Sequence, residues 1–197
     1  MKKIVLAALA GGLVLFVWGA VSHMVLPLGE MGLKNLPDEE PVLTALGASI
    51  PEPGLYFYPG LDMKKATAEE RAAWAEKIKS GPSGLLLYRP SGGEAMSPRQ
   101  LVAELVSNIL AAWVAAIVVS MIIVGHSDSI GRSAPFGRRV LVVGLLGLFA
   151  WLSISASHWI WYGFPTAFVG AELIDQVVGW LLAGLVIAKI VPQPAAT

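Results

Sequence analysis

Four runs of apolar residues, each long enough to cross a lipid bilayer, constrain this chain more than any other feature. About 30 Å of hydrocarbon requires roughly 20 mostly apolar residues at 1.5 Å of helix rise each. Ile4 to Leu26, Leu101 to Val124, Val140 to Trp161 and Thr166 to Ile190 meet that requirement. Only 14% of the 197 residues are charged and 55% are hydrophobic, against about 25% charged in a soluble domain. The sequence predicts an all-α membrane protein, an antiparallel four-helix transmembrane bundle. A small α+β extracytoplasmic insertion separates helices 1 and 2. Residues 1–26 form the first helix, 27–100 the insertion, and 101–197 the other three helices, with a loop at 125–139 and a short tail.

The first run follows Lys2 and Lys3, as a secretory signal would. Its apolar stretch exceeds the usual length of about 7–15 residues and no A-x-A site follows, so it reads as a retained helix. The basic residues near the spans set the direction. Lys2 and Lys3, then Arg132, Arg138 and Arg139, then Lys189 all fall on one side if both termini are cytoplasmic. That places the protein in the cell membrane with 27–100 outside. Arg138 and Arg139 are expected to meet anionic headgroups. Trp159, Trp161, Tyr162 and Phe164 sit where the third span leaves the bilayer, the level that amphipathic rings favour.

Within the insertion, Thr67-Ala-Glu-Glu70 has the form of a capping box and opens a helix through Trp74 to Lys79, stopped by Gly81-Pro82. A second helix fits Asp38 to Ala48, with Pro41 in its first turn. Leu55 to Tyr58 and Leu85 to Tyr88 read as short strands, each followed by proline. The glycines at 81–84 and 91–93 lack the lysine-serine/threonine ending of a phosphate loop and read as turns. A segment this short builds little core, so its apolar positions should dock on the helix ends or on another subunit.

Fourteen basic residues balance fourteen acidic ones, which removes a global electrostatic case for nucleic acid. The absence of cysteine excludes disulfides, thiolate metal sites and covalent c-type haem. No Gly-x-Ser-x-Gly elbow or His-Glu-x-x-His pair is present, so an enzymatic reading is not favoured. His126-Ser-Asp128 reads as part of a solvated turn.

The informative residues are polar and lie within the spans. Steps of 100° put Glu172, Asp175, Gln176, Gly179 and Ala183 on one face of the fourth helix. Glu104, Ser107, Asn108, Ala111 and Ala115 share a face of the second. His23 continues a column through Ala20, Gly19, Phe16, Gly12 and Ala8. His158 continues one through Ser155, Trp151, Gly147 and Gly144. Small residues let helices approach closely, so these columns should face inward. Asp175 is deepest, roughly 13 Å beyond Thr166. An ionised carboxylate there costs about 2.5–3.5 kcal/mol, so it should be paired, hydrogen-bonded, hydrated or protonated.

The cluster His23, Glu104, Asn108, His158, Glu172, Asp175 and Gln176 has a plain structural reading as polar contacts that join helices. The functional expectation is a non-enzymatic accessory, assembly or scaffold subunit that interacts with other membrane proteins, with itself or with lipid. The alternative is a redox protein holding b-type haem between His23 and His158, or a proton or small-solute pathway centred on Asp175. No cofactor is required by the first reading, and no metal-ligand pattern appears.

Overall fold

The structure, a computed structural model, describes the backbone of residues 1–130 and 134–191 and the side chains of residues 1–123 and 134–191. Among the described residues, four helices are long and apolar enough to cross a membrane: α1 (Lys2–Val25), α4 (Pro98–Ile130, its apolar part Pro98–Ile123), α5 (Phe136–Tyr162) and α6 (Thr166–Ile190). Between the first two lie α2 (Glu39–Ser49), strand β1 (Gly54–Tyr58), α3 (Ala68–Ser80) and strand β2 (Gly84–Tyr88). Contacts divide the chain into two units. Met1–Leu33 with Met96–Thr197 forms the helix bundle, and Lys34–Ala95 forms the insertion.

In the bundle, α1 packs along α4 and α6, and α5 packs along α6. Glycines set these approaches, because a helix without a side chain at the contact can bring its backbone against a neighbour. A Cβ at Gly12 would stand 2.5 Å from the Cα of Ile109, and one at Gly147 would stand 2.6 Å from the carbonyl oxygen of Gln176. The paired positions also fix direction. Along α1, Gly11 meets Ile187 and the later Trp18 meets Gly179; along α5, Gly144 meets Leu181 and Trp151 bonds to Val169. Numbers rise on one helix as they fall on its neighbour, so the packing is antiparallel. The continuous core joins Ala7, Ala112, Ala116, Val119, Val143 and Ile187. It occupies the half of the bundle that holds the start of α1 and the ends of α4 and α6.

Local signals explain the helix ends. Ser97 caps α4: its Oγ accepts from the Gln100 amide at 3.2 Å, while Gln100 Oε1 accepts from the Ser97 amide at 2.8 Å. Gly163 closes α5 with φ +68°, a conformation that glycine adopts without a Cβ penalty, and α6 starts after Pro165. Two helices contain a π-turn, Val21–Val25 in α1 and Trp151–Ser155 in α5.

Several expectations require correction. Helix α4 continues to Ile130, so the loop expected at 125–139 is helical over its first residues and starts again as helix at Phe136. Arg139 does not reach out to headgroups. It is 5% exposed, with Nη1 3.5 Å from the Val191 carbonyl oxygen and its guanidinium 5.7 Å from the Phe136 ring centre. Arg138 is exposed. Arg132, the side chains of His126 and Asp128, and the tail 192–197 lie outside the described residues.

In the insertion, β1 and β2 pair antiparallel with Leu55 opposite Leu87 and Phe57 opposite Leu85. The Thr67–Glu70 capping box forms in full, with bonds of 3.2 and 2.8 Å. Trp74 of α3 donates from Nε1 to the Pro59 carbonyl at 2.8 Å, which ties the helix to the end of β1. No residue from 34 to 95 is buried.

Candidate functional site

Where the tight core ends, α1, α4 and α6 separate around a cavity of about 460 Å³. Each helix brings polar groups and apolar wall to it. From α1 come Phe16, Trp18, Gly19, His23 and Met24; from α4 come Leu101, Glu104 and Asn108; from α6 come Asp175, Gln176, Gly179 and Trp180. Five of the seven residues singled out from the sequence therefore line one space: His23, Glu104, Asn108, Asp175 and Gln176.

The other two do not. His158 packs against the rings of Tyr162 and Phe164, with centroids 6.1 and 5.1 Å away. The cavity lies between α1, α4 and α6, and α5, which packs along α6, contributes no residue to its lining. Spacing counted along α5 carries no information about which neighbours that helix has. Glu172 lies on α6 just before the lining residues, with Oε2 buried and without a hydrogen-bond partner among the described residues. A haem held between His23 and His158 needs the two imidazoles to face each other, and only His23 lines this cavity.

The polar groups are satisfied within helices more than between them. Asn108 Nδ2 donates to Glu104 Oε1 at 3.1 Å, one turn apart on α4. Trp180 Nε1 donates to Gln176 Oε1 at 3.3 Å, again one turn apart. His23 sits in the α1 π-turn with Nδ1 2.8 Å from Ser22 Oγ and 3.2 Å from the Gly19 carbonyl oxygen. Ser22, rather than His23, is the fully buried side chain of that turn. Oδ1 of Asp175 is buried and has no partner among the described residues. The side-chain hydrogen bonds of this set thus run within helices among the described residues.

Among the described residues, indoles supply two hydrogen bonds between helices. Trp18 Nε1 donates to the main-chain oxygen of Asp175 at 3.0 Å, and Trp151 Nε1 donates to that of Val169 at 2.8 Å. Sequence reasoning passed over Trp18 and Trp180. The available signal was composition: Trp18 lies inside an apolar span, where an indole N–H needs an acceptor.

The lining carries two carboxyl groups, Glu104 and Asp175, one imidazole and no lysine or arginine. Chemically it offers acceptors beside an aromatic and aliphatic wall. Among the described residues no group of three or more His, Cys, Asp or Glu side chains is placed to hold a metal ion. Comparison with protein-family models, curated proteins and solved structures gives no match.

Proposed function

We propose that this chain is a non-enzymatic accessory component of the cell membrane, with both termini cytoplasmic and residues 27–100 outside, and that the insertion docks on another membrane protein. One observation carries the reading: residues 34–95 form two helices and two paired strands without burying a single residue. Leu55 and Leu87, opposite each other in the ladder, are 67% and 70% exposed. A two-stranded sheet has marginal stability in water, and a segment of this size needs more apolar burial than it finds alone. Both ends of the insertion continue into spans, which tethers it to the membrane and favours a membrane-bound partner.

The orientation rests on Lys2, Lys3, Arg138 and Lys189, which antiparallel packing gathers at one end of the bundle. A photo-crosslinking residue at Leu55 or Leu87 tests the docking. A discrete adduct with one other protein in native membranes, missing in liposomes of the purified chain, supports it. A crosslink to the chain's own spans in both settings overturns it.

A second reading has its own observation. The Asp175 side chain, which makes no hydrogen bond to the described residues, helps line a cavity among polar residues of three helices, which favours a small ligand or a proton as the occupant. Proton flux into liposomes that disappears in Asp175→Asn supports the proton version; flux equal to that of empty liposomes removes it. The haem version draws no support from His158, which packs elsewhere.

A further inference from the structure

We infer that the cavity between α1, α4 and α6 binds a primary ammonium group carried on an apolar body; this rests on the second reading above and names its ligand. The walls supply unused hydrogen-bond acceptors. The Asp175 carboxylate lines the cavity without a hydrogen bond to the described residues. Its Oδ1 is shielded, which leaves the other oxygen for a ligand. Glu104 spends one oxygen on Asn108, whose own side-chain carbonyl stays free of any bond to the other described residues. The lining carboxyl groups meet no lysine or arginine in the cavity. A ligand that satisfies this arrangement brings several N–H donors and positive charge. The rest of the wall is apolar and aromatic, with Phe16, Trp18 and Trp180 among it, so the body behind the charge is apolar. Indole and phenyl rings favour a nearby cation. At about 460 Å³ the space lies within the range of about 300–1,000 Å³ in which small-molecule ligands bind. A primary ammonium suits better than a quaternary one, because only the former donates to the oxygens.

Two sources share this chemistry, an ethanolamine lipid headgroup and a free long-chain amine. Native mass spectrometry of the full chain in phosphatidylcholine nanodiscs, titrated with dodecylammonium, dodecyltrimethylammonium and dodecanol, tests the assignment. One dodecylammonium per chain is expected, bound about tenfold or more tighter than the other two probes. Asp175→Asn and Glu104→Gln should each weaken it about tenfold. Neither change removes a described contact: Trp18 bonds to the main chain of Asp175, and glutamine at 104 keeps an oxygen for Asn108. His158→Ala, outside the cavity, should leave binding unchanged.

Displacement by phosphatidylethanolamine in the nanodisc assigns the lipid source, and its failure to displace assigns the free amine; both support the site. Equal binding of dodecanol, unaltered in both cavity variants, overturns the ammonium assignment while the cavity reading stands. Retention of none of the three probes overturns both.

Discussion

The indole of Trp18 on α1 reaches across to α6 and donates from Nε1 to the main-chain oxygen of Asp175 at 3.0 Å. The bond is possible because Gly179, one turn further along α6, has no side chain. A Cβ there would lie 2.7 Å from Trp18 Cδ1. An indole and a glycine together thus hold two helices at the wall of the cavity, next to the Asp175 carboxyl group.

Trp18→Phe keeps most of the ring and removes the donor. Interhelical hydrogen bonds in membranes contribute modestly, so a loss of about 1 kcal/mol is expected. Reversible unfolding in mixed detergent micelles measures it, and an unchanged midpoint would show that the bond adds no stability.

Gly12→Ala should destabilise the bundle by about 1–3 kcal/mol, because the new methyl meets the backbone of Ile109 as well as its side chain, and the backbone cannot step aside. Gly170→Ala on α6 is the matched control. Nothing lies within 4 Å of its Cβ position, and the change should stabilise by about 0.5–1 kcal/mol. The same micelle titration reads both, and the two shifts should have opposite sign.

Thr67→Ala removes one half of the capping box of α3. About 1 kcal/mol of local helix stability should be lost. Hydrogen exchange at the amides of Glu69 to Arg71 would then accelerate by about fivefold, with the exchange of α4 and α6 unaltered.

Because the chain contains no cysteine, single introduced cysteines report topology without background. Ser91→Cys should react with a membrane-impermeant maleimide added to intact cells, and Lys3→Cys should react only after the cells are opened. The reverse pattern would invert the proposed orientation and place the insertion in the cytoplasm.

Much of the architecture was legible in the residues because it depends on short-range rules. The fourth span runs over Thr166–Ile190 as hydropathy alone indicates, since a lipid-facing helix ends where its apolar run ends. Thr67 and Glu70 announced α3 because a cap is made by neighbours in sequence. The inward columns were legible at Gly12, Gly147, Gly179 and Ala183, all of them buried, because small residues at helical spacing permit close packing. The placement of His158 was not legible, because packing decides which helices border the cavity, and α5 is not one of them. Arg139 was misread for a related reason. Its charge favours headgroups, but the chain around Phe136 and Val191 folds over it.

The sequence by itself determined four spans, their alternating direction, a cysteine-free polar set within them and an insertion of strands and helices. These follow from hydropathy over about 20 residues and from caps and turns that act over a few. Only the tertiary structure decided that the helices seal tightly in one half and part in the other. It alone gathered His23, Glu104, Asn108, Asp175 and Gln176 around one cavity while leaving His158 aside. Such choices depend on helix separation and rotation, which glycine contacts and indole hydrogen bonds between distant residues fix, and a period counted along one helix carries no record of its neighbour.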